Sequence, residues 1–119
     1  MSTGAGPDIS LPLIDNQAMS DWTADLDKED IEAILSQVPE QCDVCFKEIE
    51  SAVGAAELPK AKRMAHRLKG MAANLGATRL SRLARSIEIE AQAIDDVAQQ
   101  LPGLRATIEE TLAELATFH

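Results

Sequence analysis

The chain has 119 residues, 45% apolar and 26% charged, the size and balance of one globular domain that needs neither disulfide nor structural metal to fold. Twenty acids against eleven bases give a formal charge of −9, which argues against nucleic acid and anionic membrane as partners. Only Trp22, Phe46 and Phe118 are aromatic, too few for a base-stacking platform.

No apolar run approaches the ~20 residues of a membrane helix, and Met1–Pro7 lacks the basic and apolar regions of a signal peptide. The cytoplasm is therefore the expected location, with Cys42 and Cys45 as thiols. Residues 1–13, with Gly4, Gly6, Pro7 and Pro12, are expected to form a flexible arm ahead of a single domain over 14–119.

Asp15 is placed to cap a short helix over roughly 16–24 with an apolar face of Ala18, Met19 and Trp22. Asp27 is placed to cap the next, with Glu29 and Asp30 in its first turn, where the helix dipole favours acids. Ile31, Ile34, Leu35, Val38, Cys42, Cys45, Ile49 and Val53 form one helical stripe over about 28–54. Pro39 is expected to kink or divide this helix near residues 35–38.

Gly54 and Pro59 bracket a turn, and a helix over about 60–75 follows, with core residues Ala61, Met64, Ala65, Leu68, Ala72 and Leu75 and a stop at Gly76. Thr78 restarts the chain. Leu80, Leu83, Ala84, Ile87, Ala91, Ile94 and Ala98 predict a helix reaching about 98, after which Pro102 opens the last one, with Leu104, Ile108, Leu112, Leu115 and Phe118 on its stripe. No stretch alternates with period two. The fold class is all-α: an antiparallel up-down-up-down four-helix bundle with a short extra N-terminal helix.

His66 lies about 100° around its helix from the core residue Ala65. Its neighbours at three and four positions are Lys62, Arg63, Lys69 and Gly70, with no carboxylate among them. Residues 60–70 hold five of the eleven bases, Lys60, Lys62, Arg63, Arg67 and Lys69. Neighbouring cations disfavour imidazolium, keep the ring a neutral nucleophile and attract a phosphoryl group. Gly70, a residue that costs a helix about 1 kcal/mol against Ala, leaves an opening beside the ring.

The run Ala65-His66-Arg67-Leu68-Lys69-Gly70-Met71-Ala72-Ala73-Asn74-Leu75-Gly76-Ala77 resembles the signature of histidine-containing phosphotransfer domains, roughly A-H-x-L-K-G-x-x-x-x-L-G. Looser resemblance extends over about 14–118. It implies a phosphorelay intermediate, with His66 accepting a phosphoryl group on Nε2 from the aspartyl phosphate of a hybrid histidine kinase receiver domain. The group then passes to the aspartate of another response regulator. The resemblance implies that Lys69 neutralises the phosphoryl oxygens, that Gly70 admits the receiver and that Asn74 hydrogen-bonds near the site. Lys62, Arg63, Arg67, Met71 and Ala73 are expected binding residues, and Ala77 is a further docking candidate. Arg67 and Met71 replace the small polar residues of many members, a departure that bears on partner choice.

No cofactor is expected in this chain; the receiver would bring a Mg²⁺ ion. With no Gly-rich phosphate loop, kinase activity is not expected, and the carrier is expected to be a monomer. Two other readings stand beside this one. In the first, the chain is a helical adaptor module whose His is incidental. In the second, it is the phosphorylated domain of a chemotaxis-type kinase, which would make it a fragment, whereas a chain starting at Met1 favours a free-standing carrier. Cys42-Asp43-Val44-Cys45 lies within a helix with both thiols on the core stripe, so burial is expected rather than redox or metal chemistry.

Overall fold

Five helices run through the computed structural model, which describes residues 8–118. They are α1 (Asn16–Thr23), α2 (Lys28–Gly54), α3 (Leu58–Leu75), α4 (Thr78–Glu90) and α5 (Ile94–Leu115). Among the described residues there is no strand. Helices α2 to α5 pack as a ring, each against its two neighbours, and α1 leans on α3. This is the four-helix bundle with an extra N-terminal helix that the periodicity predicts.

The apolar stripes meet in one core. Ile49, Leu68, Leu80, Ile87, Val97 and Leu104 are fully buried at its centre. Alanines at 52, 61, 65, 72 and 84 are equally buried; their short side chains let the backbones approach, so that the few large residues fill the remaining space. Cys42 and Cys45 are buried free thiols in this core. Burial pushes the Cys42 thiol up to about 11 and raises that of Cys45, with Arg67 opposing the rise.

Helix α1 starts as expected. The Asp15 carboxylate accepts from the backbone N–H groups of Gln17 and Ala18 at 2.9 and 3.3 Å. Asp27 occupies the N-cap position of α2 in extended backbone, yet its side chain makes no capping hydrogen bond. Pro39 does not divide α2, which is one helix from Lys28 to Gly54. The proline ring lies on the exposed side, where it displaces no core neighbour. Helix α3 begins two residues before the expected start, taking Pro59 into its first turn, where a missing N–H leaves no bond unmade.

The boundary between α4 and α5 is not where the apolar spacing puts it. Helix α4 ends at Glu90 and α5 begins at Ile94, with Pro102 inside α5 rather than at its start. The Asp96 carboxylate reaches back to the N–H groups of Gln92 and Ala93 at 2.9 and 3.1 Å, satisfying donors that a new helix leaves open. Ala91 is buried in the connection and holds the corner. Pro102 faces solvent, so α5 tolerates the lost bond.

Gly76 ends α3 in the left-handed region, at φ 83°, and only one more residue separates it from α4. Its carbonyl accepts from the N–H of Asp15 at 2.7 Å. A Cβ there would meet the Ala18 Cβ at 3.0 Å and the Asp15 carbonyl at 3.2 Å. Trp22 Nε1 donates to the Leu75 carbonyl at 3.1 Å. The α3–α4 turn and α1 thus lock each other. Of the expected arm, residues 1–7 lie outside the described residues; within 8–13, Leu11 and Leu13 are half-buried whereas Ile9 is 80% exposed. Arg79 donates through Nε and Nη2 to the Leu11 carbonyl, at 2.9 and 2.6 Å, and Leu13 packs on the core.

Candidate functional site

Helix α3 buries Ala61, Ala65, Leu68, Ala72 and Leu75, and this stripe turns His66 outward with 64% of its side chain exposed. Lys69 stands one turn further on the side facing α4. Across the two-residue turn, α4 runs back alongside α3 with Leu80, Leu83, Ala84 and Ile87 in the core. Glu88, four residues past Ala84, therefore lies at the edge of the α3–α4 seam. Its Oε2 is 2.5 Å from His66 Nδ1, and its Oε1 accepts from Lys69 Nζ at 2.7 Å.

One carboxylate thus holds both His66 and Lys69, and its own chemistry decides what Nδ1 does. An ionised carboxylate only accepts, so Nδ1 is the nitrogen that donates to it and carries a proton. Lys69 above all, with His66 adding to it, holds the Glu88 carboxyl below the usual carboxylate range against the opposing effect of partial burial. The bonded Nδ1 faces α4.

Glu88 is the residue that spacing along α3 misses. The expectation of a ring flanked only by bases is corrected: α3 itself supplies no carboxylate, but its antiparallel neighbour does. The signal lay in the α4 stripe, whose edge position after Ile87 carries an acid.

Gly70 is exposed, and a Cβ built on it would meet nothing within 4 Å. No packing contact inside the bundle requires glycine there, so the open space beside His66 faces outward. Arg63, Arg67, Ala73 and Asn74 are exposed and Lys62 half-buried. Asn74 makes no hydrogen bond to His66 among the described residues. Met71 is half-buried at the margin of the core and, with Arg67, Val44 and Cys45, lines a groove between α2 and α3. Ala77 is fully buried and is withdrawn as a docking residue: it follows the Gly76 turn and points into the bundle. Lys60 is drawn towards α2 by Glu48, at 3.7 Å.

An exposed imidazole, a lysine sharing its carboxylate partner and an open glycine one turn later thus stand together on α3. A family model for the Hpt domain matches residues 33–117, which is most of the chain. This chain belongs to the Hpt domain family. Hpt domains are phosphocarrier modules, not kinases; they act in histidine phosphotransfer within phosphorelays and interact with receiver domains. No curated protein matches the chain.

Among the described residues, no group of three His, Cys, Asp or Glu side chains is placed to hold a metal ion. No helix among them is long and apolar enough to cross a membrane.

Proposed function

We propose that this Hpt domain is a cytoplasmic, monomeric phosphorelay intermediate with His66 as its phospho-accepting residue. The donor is the aspartyl phosphate of a hybrid histidine kinase receiver, and the acceptor is the aspartate of a response regulator. The reading is carried by one observation: Glu88 engages both His66, through Nδ1, and Lys69, while the His66 side chain stays 64% exposed one turn from the open Gly70.

The transfer balances simply. The Nε2 lone pair attacks phosphorus in line, an N–P bond forms, and the P–O bond to the aspartate breaks. The electron pair leaves on the aspartate oxygen, restoring a carboxylate. Positive charge develops on the imidazole as the N–P bond forms, and the Glu88 carboxylate at Nδ1 stabilises it. Lys69 shifts from Glu88 towards the incoming phosphoryl oxygens and offsets their charge. Onward transfer is the reverse, with a second aspartate oxygen as nucleophile. Each step needs chiefly positioning and charge neutralisation. The Mg²⁺ ion belongs to the receiver, so this chain contributes no cofactor and no kinase activity of its own.

The test is a mixing experiment. Purified wild type and His66→Gln are incubated with ATP alone and then with phosphorylated receiver domains from hybrid kinases. Acid-labile phosphate is expected only on wild type and only with a receiver. Label on His66→Gln would assign the site elsewhere. Label from ATP alone would contradict the carrier reading, and no label from a broad receiver panel would favour an adaptor module.

A further inference from the structure

Residues 58–87, covering α3 and most of α4, contain eight bases and no acid. The rest of the chain holds the other three bases and all twenty acids. An acidic molecule therefore carries one positive hairpin. Crowding like charges on two adjacent helices opposes folding, and little of this crowding is relieved internally. Lys60 reaches Glu48, Lys69 reaches Glu88, and Arg79 is used on the carbonyls of residues 9 and 11. Lys62, Arg63, Arg67, Arg82 and Arg85 form no ion pair among the described residues.

Three of those five surround His66 on α3. The other two, Arg82 and Arg85, are exposed on α4 and have no part in the chemistry at His66. They line a cleft beside the α3–α4 turn, with Ala73, Gly76 and Ser81 on one side and Leu11, Asp15 and Ala18 on the other. Arg85 lies one turn before Glu88 on α4, and Ala73 two turns after His66 on α3, so Arg85 stands at the end of the cleft nearer the His66–Glu88 pair. Ile89, next to Glu88 and one turn beyond Arg85, is 54% exposed. The carboxylates nearby are engaged elsewhere. Asp15, at the cleft margin, caps α1; Asp8 is bound to Ser10, with Arg82 and Arg79 acting on it more weakly.

We infer that Arg82 and Arg85 form a second basic wall of the docking face and select a partner with a carboxylate-rich rim around its reacting aspartate. The inference rests on the phosphorelay reading and names what that reading leaves open. A protein that uses Mg²⁺ to handle an aspartyl phosphate holds the ion through one or two carboxylates together with water and phosphate oxygens, and its reacting aspartate adds another acid. The rim of its reacting pocket is consequently negative. The hairpin presents cations on both sides of His66, one set on α3 and one on α4, and such complementarity speeds encounter and fixes orientation. Ile89 adds an apolar contact at the edge of the same wall.

The probe is the phosphorylated receiver that labels wild type fastest in the mixing experiment. Second-order transfer rates are measured from low to high salt for wild type, Arg82→Ala/Arg85→Ala and Lys28→Ala/Lys47→Ala. The last pair removes two cations from α2, which lies outside the hairpin. The α4 double variant is expected to slow transfer about tenfold at low salt, with the gap closing as salt screens the charges; the α2 variant should change it less than about twofold. Equal effects from both variants would reduce the result to net charge and overturn the proposal, as would an α4 variant that transfers at the wild-type rate throughout. A short DNA duplex and phosphatidylserine vesicles serve as competing probes. If either bound wild type more tightly than the receiver did, and lost that binding in the α4 variant, the basic wall would belong to a polyanion instead. Absence of any receiver label on wild type would be a failure of the phosphorelay reading itself, seen before any arginine variant is compared.

Discussion

Glu88 and His66 are 22 positions apart in the chain, yet Oε2 of one meets Nδ1 of the other at 2.5 Å. The same carboxylate holds Lys69 through its second oxygen at 2.7 Å. A single acid on α4 therefore keeps a proton on Nδ1 of the imidazole and parks the lysine that stands beside it. Glu88→Ala should lower the rate of phosphoryl uptake about tenfold, the scale on which losing a carboxylate that orients a histidine is felt. Glu88→Gln keeps an acceptor for the Nδ1 proton and should retain more of the rate. Nitrogen NMR of His66 separates this from a folding defect: wild type should show the Nδ1–H tautomer, and Glu88→Ala a mixture.

The same contact carries a pH signature. The Glu88 carboxyl is held below its ordinary value of 4.5, first by Lys69. A depressed folded value means that the unfolded state takes up the proton at higher pH. The stabilisation is thus present above the ordinary carboxylate range and is lost as pH falls through the lowered folded value. Thermal melts of wild type and Glu88→Gln should be furthest apart near neutrality and converge in acid. Curves that stay parallel down to about pH 3 would show that the carboxylate contributes nothing through its charge.

Gly70 separates stability from activity. Nothing within 4 Å would obstruct a Cβ, and alanine favours helix by about 1 kcal/mol over glycine. Gly70→Ala should therefore raise the melting temperature. Gly70→Gln, with a long side chain in the space beside His66, should fold and yet accept phosphate poorly. A Gly70→Gln protein with wild-type uptake would remove the glycine from the site.

Gly76 predicts the opposite. Its φ of 83° and the 3.0 Å approach to Ala18 leave no room for a side chain. Gly76→Ala should cost about 1–3 kcal/mol, read by denaturant unfolding. Trp22, bonded to the Leu75 carbonyl, should report the loosening of α1 as a change in fluorescence at denaturant concentrations below the global transition.

Thr107 is fully buried, and its hydroxyl finds no hydrogen-bond partner among the described residues. Thr107→Val keeps the shape and removes an unsatisfied polar group, so it should stabilise the bundle by about 1 kcal/mol. The shift would appear as a higher denaturant midpoint with an unchanged slope.

The parts of this architecture that were legible in the sequence are those written within single helices. The stripe of α3 turns His66 outward and puts Lys69 and Gly70 one turn away, because all three depend on one helical period. Gly76 as the stop of α3 followed from its freedom to take positive φ. The α4–α5 corner was not legible, because Ile87, Ala91, Ile94 and Ala98 keep helical spacing across a stretch that is not helical. Asp96, bonding back to Gln92 and Ala93, decides that boundary, and Pro102 is a louder but misleading signal. Glu88 was hidden for a related reason: its meeting with His66 depends on how two helices lie side by side, which no single period encodes. The charge asymmetry of the hairpin was in plain sight as composition, but the position of Arg82 and Arg85 on a shared cleft required the fold.

The short turn at Gly76 makes the α3–α4 hairpin a gauge of length. His66 lies ten positions before Gly76 and Glu88 twelve after it, or ~15 and ~18 Å along their helices at 1.5 Å per residue. The two side chains meet because both arms are counted from the same fixed corner, which α1 clamps from outside through Asp15 and Trp22. One residue added to either arm would swing its functional group by about 100° and carry it out of reach. Insertions should consequently be absent between positions 66 and 88 in any variant selected to keep phosphate uptake, whereas the α2–α3 connection, which measures nothing, should accept them.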